Sequence, residues 1–250
     1  MGNSNCFPGS RYPQWPFPWP FPFPFPFPDP FPPYLNTVTS SFGSIHNELL
    51  DGYALAFPAL NGTHPEIWNF MITGTTRLAT QEGITGGKFI SFKAANDHAV
   101  NIKASLNNYL RELVKDGEMT PFIAEQTNIM LGIIKDTADG SDISFRLTAF
   151  ANRISLKTDV SPEDKMILMG GAQVGIYSGN FWDYALKTAS SPYHQIAVDL
   201  NAGGNLFKIK WADLIGFVVG AVVGSGGGPV GSVTTGIALG GFASEVFGEK

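Results

Sequence analysis

Apolar positions between residues 36 and 190 recur at helical spacing. Val38, Phe42, Ile45, Leu49, Tyr53 and Ala56 are separated by three or four residues, as on one face of an α-helix. Thr37, Thr39 and Ser40 stand at its start as candidate caps. Thr63-His64-Pro65-Glu66 is a capping box with proline near the first helical position; it predicts a helix to about Glu82, closed by Gly83. Asn96 or Asp97 caps a third helix through Val100, Ala104, Tyr109/Leu110 and Leu113, stopped by Gly117. Thr120-Pro121 opens a fourth, through Ile123, Thr127, Met130/Leu131 and Ile134. Ser161-Pro162-Glu163-Asp164 places a cap, a proline and two acids at the positive end of a helix dipole, and predicts a helix to Lys187 despite Gly170, Gly171, Gly175 and Gly179. Two stretches stay open: Lys88–Lys93 has the makings of a short strand, and Ile143–Leu156 reads as helix or strand.

The pattern changes after residue 210. Gly216, Gly220, Gly224 and Gly228 are spaced by four, and Ser232, Gly236, Gly240 and Ser244 continue the register. Small residues at every fourth position make a smooth helix stripe that lets a second helix approach closely. Almost everything between them is apolar, and no charge lies between Asp213 and Glu245. Gly226-Gly227-Gly228-Pro229 should break this run into halves of about 12 and 15–18 residues, each short for a bilayer crossing of about 20. The expectation is a tight helical hairpin with its small stripes facing. It is either re-entrant in a membrane or buried beneath the rest of the chain.

The other end differs again. From Pro16 to Pro32 every even position is proline, and the odd positions carry Phe17, Trp19, Phe21, Phe23, Phe25, Phe27, Asp29 and Phe31. Proline forbids a helix and a central strand here, so an extended arm is expected, roughly 50 Å long over 17 residues at about 3.1 Å each. Its aromatic residues are a candidate docking surface, on membrane, carbohydrate or protein. The opening Gly2 and Cys6 match an acylation signal only loosely, and no secretory signal precedes the prolines.

Composition sharpens this three-part division. Twelve of the 18 prolines lie before residue 34, 13 of the 29 glycines lie after residue 200, and residues 36–210 hold 31 of the 37 charged side chains. The expected organisation is an arm at 1–35, a helical globular domain at 36–210 and an apolar hairpin at 211–250, a mainly α chain. A net charge of −5 disfavours nucleic acid as a partner. One cysteine excludes an intrachain disulfide framework.

Candidate chemistry is sparse. Gly83–Phe89 imitates a phosphate loop, but its first glycine is out of register and Phe89 stands where Ser or Thr would hold magnesium. Asp136, Asp139 and Asp142 flank Gly140 at the wrong spacing for calcium, with no closing glutamate. His46, His64, His98 and His194 form no metal-binding pair, and His64 and His98 read as ordinary surface residues. No nucleophile motif appears, so no enzymatic activity, cofactor or metal is expected. Within His46-Asn47-Glu48-Leu49-Leu50-Asp51, Asn47 and Asp51 share a helix face away from the apolar stripe, suited to a polar contact with another element.

Three segments together carry a resemblance: Phe42–Asp51, Ser178-Gly179-Asn180-Phe181-Trp182, and Ala212-Asp213 with the small-residue tail. In this order they resemble a group of uncharacterised bacterial proteins with an opening like His-Asn-Glu-x-Leu-Asp, a Ser-x-x-aromatic-Trp stretch and a glycine-zipper, bacteriocin-like tail. They cover about a quarter of the chain, and the long arm is outside the pattern. The resemblance implies no catalytic residues. Pattern and resemblance together lead to the expectation of a non-enzymatic, membrane-associating or bacteriocin-like protein whose tail inserts or self-associates, its partner a membrane lipid or another chain, a second copy included. Lys208 and Lys210 before the tail, with Glu245 and Glu249 after it, would put its N-terminal side in the cytoplasm. The alternative is a soluble structural or adhesion subunit that docks through the arm and uses the tail as core or subunit seam.

Overall fold

A computed structural model describes residues 33–84, 88–137, 139–225 and 228–248. The chain is mainly helical, and the described residues contain no strand. The helices are α1 (Pro33–Ala56), α2 (His64–Gln81), α3 (Phe92–Lys115), α4 (Pro121–Lys135), α5 (Gly140–Ser155), α6 (Pro162–Lys187), α7 (His194–Ala202), α8 (Leu206–Val223) and α9 (Gly228–Gly248).

The strongest start signals act as read. Glu66 accepts from both the backbone N–H and the hydroxyl of Thr63, at 2.9 and 2.7 Å. Thr120 Oγ1 accepts from the Ile123 N–H at 3.2 Å, and Ser161 Oγ from the Asp164 N–H at 3.0 Å. The N–H groups of Thr63, Ile123 and Asp164 are donors that the first helical turn leaves without a partner, and these bonds satisfy them. Gly83 and Gly117 close α2 and α3 with φ of +75° and +76°, a region costly for any side chain.

Other boundaries differ from the reading. The helix runs through Thr37, Thr39 and Ser40, which therefore lie inside α1 rather than at its start. The cap of α3 is Ser91, whose Oγ accepts from the Ala94 N–H, so Asn96 and Asp97 lie inside the helix. Ser105 is non-helical and kinks α3, and the buried stripe differs from the expected one: Ala99 and Ile102 face the core, while Val100 and Ala104 face out. Residues 88–91 form no strand, and Ile143–Leu156 falls on α5, capped by Asp139, whose Oδ1 accepts from the Asp142 N–H. The aspartates around Gly140 thus divide between helix ends: Asp139 caps α5, Asp142 sits in its first turn, and Asp136 is at the C-cap of α4.

Two helices occupy the interior. α8 packs against α9, α6, α3 and α4; α9 packs against α8, α2, α3 and α1. α5 and α7 lie on the outside of α6. The glycines of α6 are what let it sit between α5 and α8. A Cβ on Gly170 would meet Phe217 at 2.5 Å, on Gly171 Val218 at 2.9 Å, and on Gly175 both Leu147 and Leu214, at 2.8 and 2.9 Å. Glycine weakens a helix by up to about 1 kcal/mol per residue, and here close packing on both sides offsets that cost. Phe42 against Phe217 and Trp68 against Phe242, at centroid distances of 5.9 and 5.5 Å, tie α1 and α2 to the central pair.

Candidate functional site

The small residues of the tail lie where α8 meets α9. A Cβ built on Gly216 would fall 2.7 Å from the Leu239 carbonyl oxygen and 2.8 Å from Gly240 Cα. On Gly220 it would fall 2.7 Å from the Thr235 carbonyl and 2.9 Å from Gly236 Cα, and on Gly224 2.8 Å from the Gly231 carbonyl. From the other side, a Cβ on Gly236 would fall 2.8 Å from the Phe217 carbonyl oxygen, and one on Gly240 3.0 Å from that of Asp213. These are backbone atoms that no rotamer change can move away. Ser232 and Ser244 are buried in the same register, and their hydroxyls have no hydrogen-bond partner among the described residues. Gly228 is the first residue of α9. α8 and α9 are longer than the expected halves, at 18 and 21 residues: α8 begins upstream of residue 211, and α9 starts at Gly228 within the expected break and runs on to Gly248.

Where α8 enters the interior it carries two buried charged side chains. Lys210 donates to Asp183 of α6 at 2.8 Å. One turn later Asp213, fully buried, is surrounded by donors: Ser178 Oγ at 2.6 Å and Trp182 Nε1 at 2.9 Å on Oδ2, and His46 Nε2 at 3.1 Å on Oδ1. Ser178 and Trp182 share one face of α6 at i, i+4 spacing, which is how a single oxygen receives both. His46 comes from α1 and is also fully buried. Burial disfavours its charged form, but the Asp213 carboxylate, its hydrogen bond and that of Asn47 outweigh this and raise the imidazole pKa above its ordinary value.

The polar face expected on α1 divides. Asn47 bridges: its Nδ2 donates to the Tyr177 carbonyl of α6 at 3.1 Å, and its Oδ1 lies 3.1 Å from His46 Nδ1. Asp51 is half-buried, and burial, followed by the nearby Glu48 charge, pushes its carboxyl up to about 6. A second buried polar group stands close by. The Tyr193 hydroxyl lies 2.8 Å from the Leu50 carbonyl and 2.7 Å from Glu245 Oε1 of α9. Burial and Glu245 together drive the Tyr193 hydroxyl pKa well upward.

Sequence reasoning places Ser178, Trp182 and Asp213 in the segments that carry the resemblance and His46 among the histidines that form no metal pair, and gives none of them a role. The structure brings all four into one cluster. The available signals were a histidine beside the apolar stripe of α1 and a lone acid at the head of a charge-free run. His64 and His98 are not free surface residues either: His64 Nδ1 pairs with Asn96 Oδ1 at 2.7 Å, and His98 with the Tyr109 hydroxyl. The His194 ring donates from Nδ1 to the Ala185 carbonyl at 2.9 Å. Phe17, Trp19, Phe21, Phe23, Phe25, Phe27 and Phe31 lie outside the described residues, as does part of the phosphate-loop imitation, at residues 85–87.

Chemically, the cluster is suited to holding helices together. Asp213 stands between Ser178 and His46, so the serine hydroxyl donates to the carboxylate rather than to the imidazole, unlike a nucleophile–base pair. Among the described residues no group of three or more His, Cys, Asp or Glu side chains is placed to hold a metal ion. A shallow groove lies on the outer surface between α4 and α5, lined by Ile129, Ile133, Phe145, Arg146, Phe150 and Arg153. Compared with known proteins, the chain matches no family model, no curated protein and no solved structure.

Proposed function

We propose that the chain is a non-enzymatic, membrane-associating or bacteriocin-like protein. In this reading α8 and α9 are a glycine-zipper hairpin that inserts into lipid or self-associates, and the other helices cover it in water. The single supporting observation is the character of the covered pair. Val230–Gly248 is long and apolar enough to cross a membrane, yet it lies inside a body whose outer helices carry most of the charge. A helix apolar on all sides belongs to a large core or to a membrane. The 21 residues of α9 correspond to about 31 Å of helix, close to the thickness of a bilayer's hydrocarbon layer. Close glycine contacts hold helices together in lipid as well as in water, so one seam serves both settings. The partner is membrane lipid or another chain, a second copy included, and the aromatic arm at 1–35 is a further docking element. An excess of acidic over basic residues supports excluding nucleic acid.

The test is flotation of the full chain with phosphatidylglycerol vesicles, an alkaline wash, then trypsin. The reading expects the chain to float and a fragment beginning at Trp211 to survive digestion. A chain that stays in the dense fraction at every lipid composition overturns it.

A second reading has its own support: 89% of the apolar window of α9 is already buried within the chain. In it the chain is a soluble structural or adhesion subunit, the tail is internal core or subunit seam, and the arm docks on a neighbour. Size-exclusion chromatography with and without residues 1–35 separates the two. The second reading expects an assembly that depends on the arm and ignores lipid.

A further inference from the structure

We infer that His46 is held as the imidazolium and that its second ring proton clasps α1 to α6 and α8, so that this junction loosens when the proton is lost. The argument is a count of donors. Asn47 Nδ2 lies 3.1 Å from the Tyr177 carbonyl, which only accepts, so the amide orientation is fixed. Its oxygen therefore faces His46 Nδ1 at 3.1 Å, and that ring nitrogen must carry hydrogen. Nε2 faces a carboxylate oxygen of Asp213 at 3.1 Å and must carry hydrogen as well. A neutral imidazole has one N–H; two acceptors require two.

Losing one proton leaves a ring lone pair against an oxygen lone pair. Turning the Asn47 amide only moves the conflict to the Tyr177 carbonyl. His46 is wholly buried, so bulk water does not replace the lost bond. Loss from Nε2 breaks the Asp213 link to α8; loss from Nδ1 sets its lone pair against Asn47 Oδ1, a repulsion relieved when the Asn47 amide lets go of Tyr177 on α6. The remaining groups around the ring do not supply a substitute charge. On α8, Lys210 is committed to Asp183 of α6. Ser178 and Trp182 of α6 are turned to Asp213. α9 presents Gly240 to the ring. On α1 itself, Glu48 is engaged with Ser44 and feels Glu82 and Arg77, while Asp51 feels Glu48.

The direction follows. The folded chain holds the proton more tightly than the ordinary imidazole, so the contribution to stability is complete below about pH 6.5 and is lost as pH rises through the folded value. None of this depends on the proposed membrane role, and the test needs no lipid.

In ¹⁵N-labelled full-length chain, long-range ¹H–¹⁵N spectra resolve the four imidazoles between pH 5.5 and 9.5. The His46 ring, assigned through its own side-chain-to-backbone correlations, should carry both ring protons in the larger part of the population at about pH 6.5, where an ordinary imidazole is half deprotonated. Amide protection in α1 and at the start of α8, corrected for intrinsic base catalysis, should fall as that ring titrates, by up to about tenfold for each unit its pKa exceeds 6.5. In Asp213→Asn the same ring should lose its second proton at lower pH. A single-proton His46 ring at pH 6 overturns the inference, and so does a titration that leaves protection unchanged. Should Asp213→Asn fail to fold, both wild-type measurements still decide.

Discussion

Asp213 Oδ1 lies 3.1 Å from His46 Nε2 although 167 positions separate them in the chain, and neither side chain is exposed. The pair joins the first helix to the start of the apolar tail. Asp213→Ala would leave a buried imidazole, the Ser178 hydroxyl and the Trp182 indole N–H without their acceptor. A loss of about 3–5 kcal/mol is expected, the usual cost of breaking a buried pair from one side. Adding His46→Leu should restore part of it, since the buried cation is then gone. A double-mutant cycle by urea unfolding checks this: strictly additive losses would mean that the pair does not act as a unit.

Asp51 sets a pH dependence of its own. Its carboxyl is raised from 3.8 to about 6, so the folded chain holds a proton there that the unfolded chain has already lost. Its contribution is therefore most favourable below pH 4 and declines as pH rises through 6. Asp51→Asn should stabilise at pH 8 by something on the order of 2 kcal/mol, with the gain vanishing near pH 4. Guanidinium unfolding at the two pH values measures it.

Tyr193→Phe should cost about 1–3 kcal/mol in a thermal melt. The ring keeps its edge contacts with Phe181 and Trp182, at centroid distances of 5.3 and 5.5 Å. What goes is the hydroxyl between the Leu50 carbonyl and Glu245, both buried. An unchanged melt would show that α1 and α9 are not joined there.

The sequence displayed the local signals and concealed the long-range ones. Thr63, Thr120 and Ser161 were legible because a cap followed by proline restricts the backbone within four residues. Ser91 was missed because Asn96 and Asp97, five and six positions on, are also good caps, and the choice depends on where α3 meets its neighbours. The inward face of α3 runs through Ala95, Ala99 and Ile102 rather than Val100, because alanine is small enough to read as either face, and the kink at Ser105 has no local cause such as proline. The four-residue register of the tail was legible because small residues there have few other uses. Which backbone each would touch depends on the pairing of α8 with α9, which no periodicity encodes. The cluster of His46, Ser178, Trp182 and Asp213 was visible only as four residues in three distant segments. Three helices must pack before any of them meets another.

The contact between α8 and α9 is tested most directly by one pair of substitutions, Gly220→Ala and Gly132→Ala, compared by thermal melting. Alanine is the better helix former by about 1 kcal/mol, so propensity alone favours both changes. At Gly132, on α4, an added Cβ meets nothing within 4 Å. At Gly220 it meets the Thr235 carbonyl at 2.7 Å and Gly236 Cα at 2.9 Å. The expected result is opposite signs: Gly132→Ala raises the melting temperature, and Gly220→Ala lowers stability by about 1–3 kcal/mol as the backbones are forced apart. A Gly220→Ala chain that is stabilised as much as Gly132→Ala would contradict the close backbone seam on which the account of the tail rests.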